Sequence, residues 1–243
     1  MPDERPARRL AVLRYRKIGP LTEEDWLTTT AIPEERFRSQ MGTLRRHRWI
    51  PLGMEEFRAA LENPVGLPER AVLLTFEGVY RSFLERVLPN LVRYRYPAVA
   101  FVAPDIVGET ASIHGGMDEP EPICDWDDLR SLRSEMVTIG SLGRTGRSLS
   151  DIGPSDLESE ITGSKGRLQK ELGGEVELFA YPEGDPGEDP DRTVRTLRVA
   201  GYRAAFLADG GPASVPPENP FSIPRISMSP GTDLAKVLPG DPP

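Results

Sequence analysis

Seven short apolar runs, alternating with stretches of helical periodicity, constrain this chain more than any other feature. The runs are Leu10–Tyr15, Ala71–Phe76, Ala98–Ala103, Val137–Gly140, Glu177–Tyr181, Arg203–Leu207 and Ile223–Met228. They are near-continuous in Val, Leu, Ile, Ala and Phe rather than alternating with polar residues, which is the pattern of parallel strands covered on both faces. Helices are predicted between them. Pro33–Arg46 carries Phe37, Met41 and Leu44 on one face, and Met54–Glu62 carries Met54, Phe57 and Leu61. Ser82–Tyr94 contains Pro89, which must kink the helix or open a new one because it lacks an N–H and crowds the preceding turn. Ser155–Leu172 opens on Ser155 and Glu158 at capping-box spacing, and Pro190–Ala200 ends at Gly201, a residue suited to a left-handed C-cap. Gly108–Pro122 and Gly210–Pro220 read as loops. The alternation implies βα units.

Composition narrows the function classes. The chain has 243 residues, enough for one domain with a real core. Lys and Arg number 30 against 38 Asp and Glu, a net charge of −8, which argues against nucleic acid as a partner. The basic run Arg45-Arg46-His47-Arg48 reads as a solvated helix end. Cys124 is the sole cysteine, so no internal disulfide can form. No apolar run approaches a membrane span, and Met1–Arg9 is charged with no apolar stretch behind it, unlike a secretory signal. A cytoplasmic, membrane-free protein is expected. The domain is expected to run from 10 to 238, between a flexible segment 1–9 and a flexible tail 239–243.

Three segments carry a resemblance. Thr75-Phe76-Glu77-Gly78-Val79-Tyr80 is similar to T-F-D-D-G-Y, Gly140-Ser141-Leu142-Gly143-Arg144-Thr145-Gly146 to G-S-H-T-x-T-H, and Phe179-Ala180-Tyr181-Pro182-Glu183-Gly184 to F-x-Y-P-Y-G. These are the first three motifs of the polysaccharide deacetylase (NodB-homology) family. Val12-Leu13-Arg14-Tyr15-Arg16, Ile123–Leu129, Ala200–Phe206 and Pro224-Arg225-Ile226 resemble further family segments, so the likeness runs from about Leu10 to Leu238. It implies an α/β fold, a distorted (β/α) barrel of about seven parallel strands in a single domain.

The resemblance also implies a chemistry that the residues do not complete. In that family one Asp and two His hold a divalent metal, which polarises the acetyl carbonyl and activates a water. A second Asp acts as base. The metal positions here are Gly78, Leu142 and Gly146, and the base position is Glu77. His47 and His114 are the only histidines, and neither has a partner at ligand spacing. The late His of the family is replaced by Ser227, Met228 and Ser229. No cofactor is therefore expected. The leading expectation is a carbohydrate-binding or regulatory pseudoenzyme. Its glycan or sugar-nucleotide ligand would meet a mouth lined by Tyr15, Arg16, Tyr80, Ser141, Arg144, Arg147, Tyr181 and Arg225. One alternative is metal-free hydrolysis of an N-acetylated sugar by Glu77, with Glu183 and Asp185 as further acids. The other is an interaction module for a glycan-processing enzyme.

Overall fold

A computed structural model describes residues 8–19, 31–113 and 120–238. His114, most of the expected flexible N-terminal segment and the tail 239–243 lie outside them. Arg8 and Arg9, expected to be part of that segment, belong to the first strand. In chain order the elements are β1 (Arg8–Tyr15), β2 (Lys17–Ile18), β3 (Ala31–Ile32), α1 (Glu34–Arg46), β4 (Ile50–Pro51), α2 (Met54–Glu62), β5 (Ala71–Glu77), α3 (Leu88–Tyr94), β6 (Ala98–Val102), β7 (Thr110–Ala111), β8 (Glu121–Pro122), α4 (Trp126–Glu135), β9 (Val137–Ser141), α5 (Ser164–Leu172), β10 (Leu178–Ala180), α6 (Pro190–Val199), β11 (Ala204–Phe206), β12 (Ala213–Val215), β13 (Ile226–Ser227) and α7 (Leu234–Val237).

The main sheet runs β11-β10-β9-β6-β5-β1 with every neighbour parallel. The segment 223–227 then bridges its two ends. Ile223 pairs with Phe206 at the far edge, and Ile226 and Ser227 pair with Leu13 and Arg14 of β1. Seven parallel strands thus form a circuit, the distorted (β/α) barrel expected. β12 adds antiparallel to the start of β1, through Arg8–Val215 and Leu10–Ala213, within a stretch expected to be loop.

Strand parity sorts the side chains into two cores. Leu10 and Val12, Ala71 and Leu73, Val99 and Phe101, Leu178 and Ala180, and Ala204 and Phe206 share the cluster inside the barrel. The intervening residues Ala11, Leu13, Tyr15, Val72, Leu74, Phe76, Phe179 and Tyr181 pack outward against the helices. Each fully buried Leu or Phe contributes on the order of 1.5–3 kcal/mol. α2 joins the inner cluster: Phe57 stacks on Phe206 at 5.7 Å.

Local sequence explains the helix ends. Pro89 occupies the start of α3, after a wider turn over Phe83–Val87, so the expected helix is split as the missing N–H requires. Gly201 follows α6 at φ +79°, and Tyr202 N–H donates back to Leu197, the left-handed stop expected. The capping box expected at Ser155 gives way to a turn, with Glu160 N–H bonding Asp156 O. Asp125 and Asp128 form a reciprocal cap at α4 instead. Among the described residues no helix is long and apolar enough to cross a membrane.

Candidate functional site

The three expected metal positions meet at one place, the end of β6. Beyond Glu77 the chain turns at Gly78, whose N–H donates to Phe101 O at 3.3 Å. Leu142 follows β9 and its N–H donates to Val102 O at 2.9 Å. Gly146 faces Ala103: a Cβ added to it would lie 3.3 Å from the Ala103 Cβ. The fold therefore assembles this corner, but the side chains there are not ligands. Leu142 is buried in the inner apolar cluster with Ile113, Ile123, Tyr80 and Ala103. Gly78 sits at φ +65°, and a Cβ on it would fall 2.2 Å from Ile113 Cδ1. Among the described residues no group of three His, Cys, Asp or Glu could hold a metal ion. The described residues at this corner do not fit a divalent cation, which needs oxygen or nitrogen donors where they offer methyl groups and backbone.

Glu77 points into the barrel from the end of β5 and is 1% exposed. Arg14 Nε donates to its Oε2 at 2.9 Å, with Arg14 Nη2 at 2.7 Å from the same oxygen. Arg225 Nη2 donates to Oε1. Arg14 is 3% exposed and Arg225 fully buried. Two guanidiniums and one carboxylate leave one positive charge inside the barrel. Burial pushes the Arg225 guanidinium down to about 10, although Glu77 pulls it back up. Desolvation thus outweighs the ion pair, as buried pairs commonly show. Arg225 also lies over the Phe101 and Phe206 rings, at 5.7 and 6.0 Å.

A cleft of about 210 Å³ opens beside this triad, lined by Arg14, Arg16, Asp209, Ser227, Met228 and Ser229. Its wall is built from the ends of β1 and β13. Arg14 Nη1 donates to Ser227 Oγ at 3.2 Å, and Ser227 Oγ donates to Ala208 O.

The other sequence-predicted residues are dispersed, and parity explains most of them. Tyr15 lies outward under α1, stacked on Phe76 at 5.1 Å, with its hydroxyl donating to Gln40 Oε1. Tyr181 also faces outward and donates to Phe221 O. Burial raises both phenols. Ser141 is buried and donates to Ser164 Oγ, and the buried Tyr80 hydroxyl accepts from Ile113 N–H. Arg225 serves Glu77 at the inner wall, without surfacing at the mouth. Arg144 pairs with Asp105 at 3.0 Å, and Arg147 Nη2 donates to Asp151 O. Of the expected mouth residues, Arg16 lines the cleft.

The three expected acids do not converge. Glu183 is exposed, on a turn at φ 56°. Asp185 accepts from Ser148 Oγ, Ser150 N–H and Gly187 N–H, tying two loops together. Burial alone would raise its carboxyl, but these donors hold it below the usual value. A carboxylate lowered on folding stabilises the fold above its unfolded pKa, and that contribution fades as pH falls through the folded value. Asp185→Asn is therefore expected to lower stability by about 1 kcal/mol at pH 7 and to lose part of that deficit as the carboxyl is protonated in acid, as urea melts at neutral and acidic pH would measure.

A family model for polysaccharide deacetylases matches residues 65–205, more than half of the chain. The chain belongs to the polysaccharide deacetylase family. YxkH of Bacillus subtilis (strain 168) is 22% identical over 228 residues, 94% of this chain and 74% of that protein. A poly-β-1,6-N-acetyl-D-glucosamine N-deacetylase of Staphylococcus aureus (strain MSSA476) is 23% identical over 202 residues, 82% of this chain and 68% of that one. Streptococcus pyogenes deacetylase PplD, solved in complex with acetate, superposes with a TM-score of 0.83 at 19% identity, covering 97% of this chain and 100% of that chain. At that identity the superposition speaks to fold.

Within this polysaccharide deacetylase frame, three residues at the site were not singled out from sequence. Arg14 was readable: it is the charge on the inward parity of β1, after Leu10 and Val12. Ile113, which fills the space over Gly78, comes from a loop with no periodic signal. Glu160 is buried, and its Oε1 accepts from the Thr145 N–H and hydroxyl, bracing the Leu142–Gly146 loop. Its position in the helical stretch before α5 gave no sign of that contact.

Proposed function

We propose that this member of the polysaccharide deacetylase family binds a glycan at the barrel mouth without metal-dependent deacetylation. One observation carries the reading: Gly78, Leu142 and Gly146 converge as the family frame requires, yet Ile113 and Leu142 fill the corner with hydrocarbon. Glu77, at the base position, has both oxygens engaged by guanidiniums. The cleft beside it offers Arg14, Arg16, Ser227 and Ser229 as hydrogen-bonding groups, a lining suited to sugar hydroxyls and their polar substituents. The names of relatives as N-acetylglucosamine polymer deacetylases support a glycan as the ligand class. The test is incubation with N-acetylglucosamine oligomers in the presence of Zn²⁺, Co²⁺ or Ni²⁺. Oligomer binding with no acetate release is expected; metal-dependent acetate release would overturn the reading.

The second reading is hydrolysis without a metal, favoured by a buried carboxylate at the end of β5 with two cations beside it. It requires Glu77 to take a proton from water. Acetate release without metal, lost in Glu77→Gln, would support it against the first.

A further inference from the structure

The cleft at the ends of β1 and β13 has a charge that a neutral sugar would not use. Arg14, Arg16 and Asp209 line it, and Glu77 and Arg225 lie behind Arg14. These three cations and two anions sum to one positive charge, on a chain whose net charge is −8. Among the described residues, the fully buried Arg225 has no hydrogen-bond partner for its Nη1. That leaves the positive charge behind Arg14 poorly compensated. Ser227 and Ser229 add two hydroxyls on the same wall.

Resting on the glycan-binding reading, we infer that the cleft is specific for an anionic substituent on the sugar, a carboxylate or a phosphate, held by Arg16 and Arg14 with Ser227 and Ser229. Guanidinium forks match both groups because each presents two or more oxygens in the spacing of the N–H pair. The volume of about 210 Å³ admits the substituent and part of a sugar ring. Burial of Arg14 strengthens its attraction for an anion, since little water reaches that guanidinium. Asp209 on the rim opposes any anion, so ligands placing the charge on the Arg16 side are favoured.

Titration of the full chain, followed by calorimetry and by chemical-shift changes, separates the cases. The probes are glucuronate, inorganic phosphate and a neutral N-acetylglucosamine trimer. Weak binding of the neutral trimer is expected beside tighter binding of glucuronate or phosphate that weakens with added salt, the latter with about a tenfold loss in Arg16→Ala, the scale of one charge-assisted hydrogen bond. Asp209→Asn is expected to tighten the same probes several-fold. The anion that binds more tightly identifies the source of the charge. Equal binding of the neutral trimer and glucuronate, or no effect of Arg16→Ala, would overturn this inference while leaving the glycan reading standing. No binding of any of the three would end both. Both variants lie on the cleft rim outside the buried triad, and unchanged melting would establish that they fold.

Discussion

Glu77→Leu is expected to lower the unfolding free energy by about 3–5 kcal/mol, because it strands two buried guanidiniums without a counter-charge. Arg14, at the wall of the cleft, is 3% exposed and Arg225 is 0% exposed, so bulk water fully solvates neither guanidinium. The companion variant separates this from a simple packing loss. Replacing all three, Arg14→Met, Glu77→Leu and Arg225→Met, removes the charges together, and the triple variant is expected to lie near or above the parent in stability. The pH dependence has a definite sign. Arg225 titrates lower in the folded protein than in the unfolded chain, at about 10. The folded state therefore holds that proton less tightly, and the resulting cost is present below pH 10 and relieved as pH rises past it. Urea midpoints for parent, single and triple variants would check both statements. A single variant within 1 kcal/mol of the parent would mean that the triad is not an interdependent charge cluster.

Gly78→Asp puts back the residue type that the family resemblance implies for metal binding, and it is expected to cost about 2–4 kcal/mol rather than create a site. Two terms add. At φ +65° an aspartate is strained, by about 1 kcal/mol or more. Its Cβ would fall 2.2 Å from Ile113 Cδ1, so the loop carrying Ile113 must move, an overpacking cost of about 1–3 kcal/mol. Adding Ile113→Ala removes the second term and not the first, so the double variant is expected to recover part of the loss. Full recovery, or no loss in the single variant, would show that the loop over Gly78 is not packed as described.

The strands were legible because a parallel barrel makes them apolar throughout, and that same property hid which residues face inward. Hydrophobicity does not separate the Leu10–Val12 face of β1 from the Leu13–Tyr15 face, since helices cover one and the barrel interior holds the other. Tyr15 and Tyr181 were expected at the mouth on motif position alone; parity sends both outward. The charges mark the face instead: Arg14 and Glu77 lie on inward positions of adjacent strands, paired at 2.7 Å. β12 escaped notice because Ala213–Val215 is three residues long amid Gly and Pro, and its pairing with Arg8–Leu10 comes from tertiary contact. The residues at the three motif positions, Gly78, Leu142 and Gly146, were readable one by one. The filling of their corner was not, because Ile113 reaches Gly78 from a segment far along the chain.

The most direct measurement is the zinc stoichiometry of the natively folded chain, titrated against a competing chelator, with His114→Ala alongside. The account predicts no tightly held equivalent in either protein. One equivalent of zinc bound per folded chain, lost in His114→Ala or on mutation of any acid at the mouth, would contradict it.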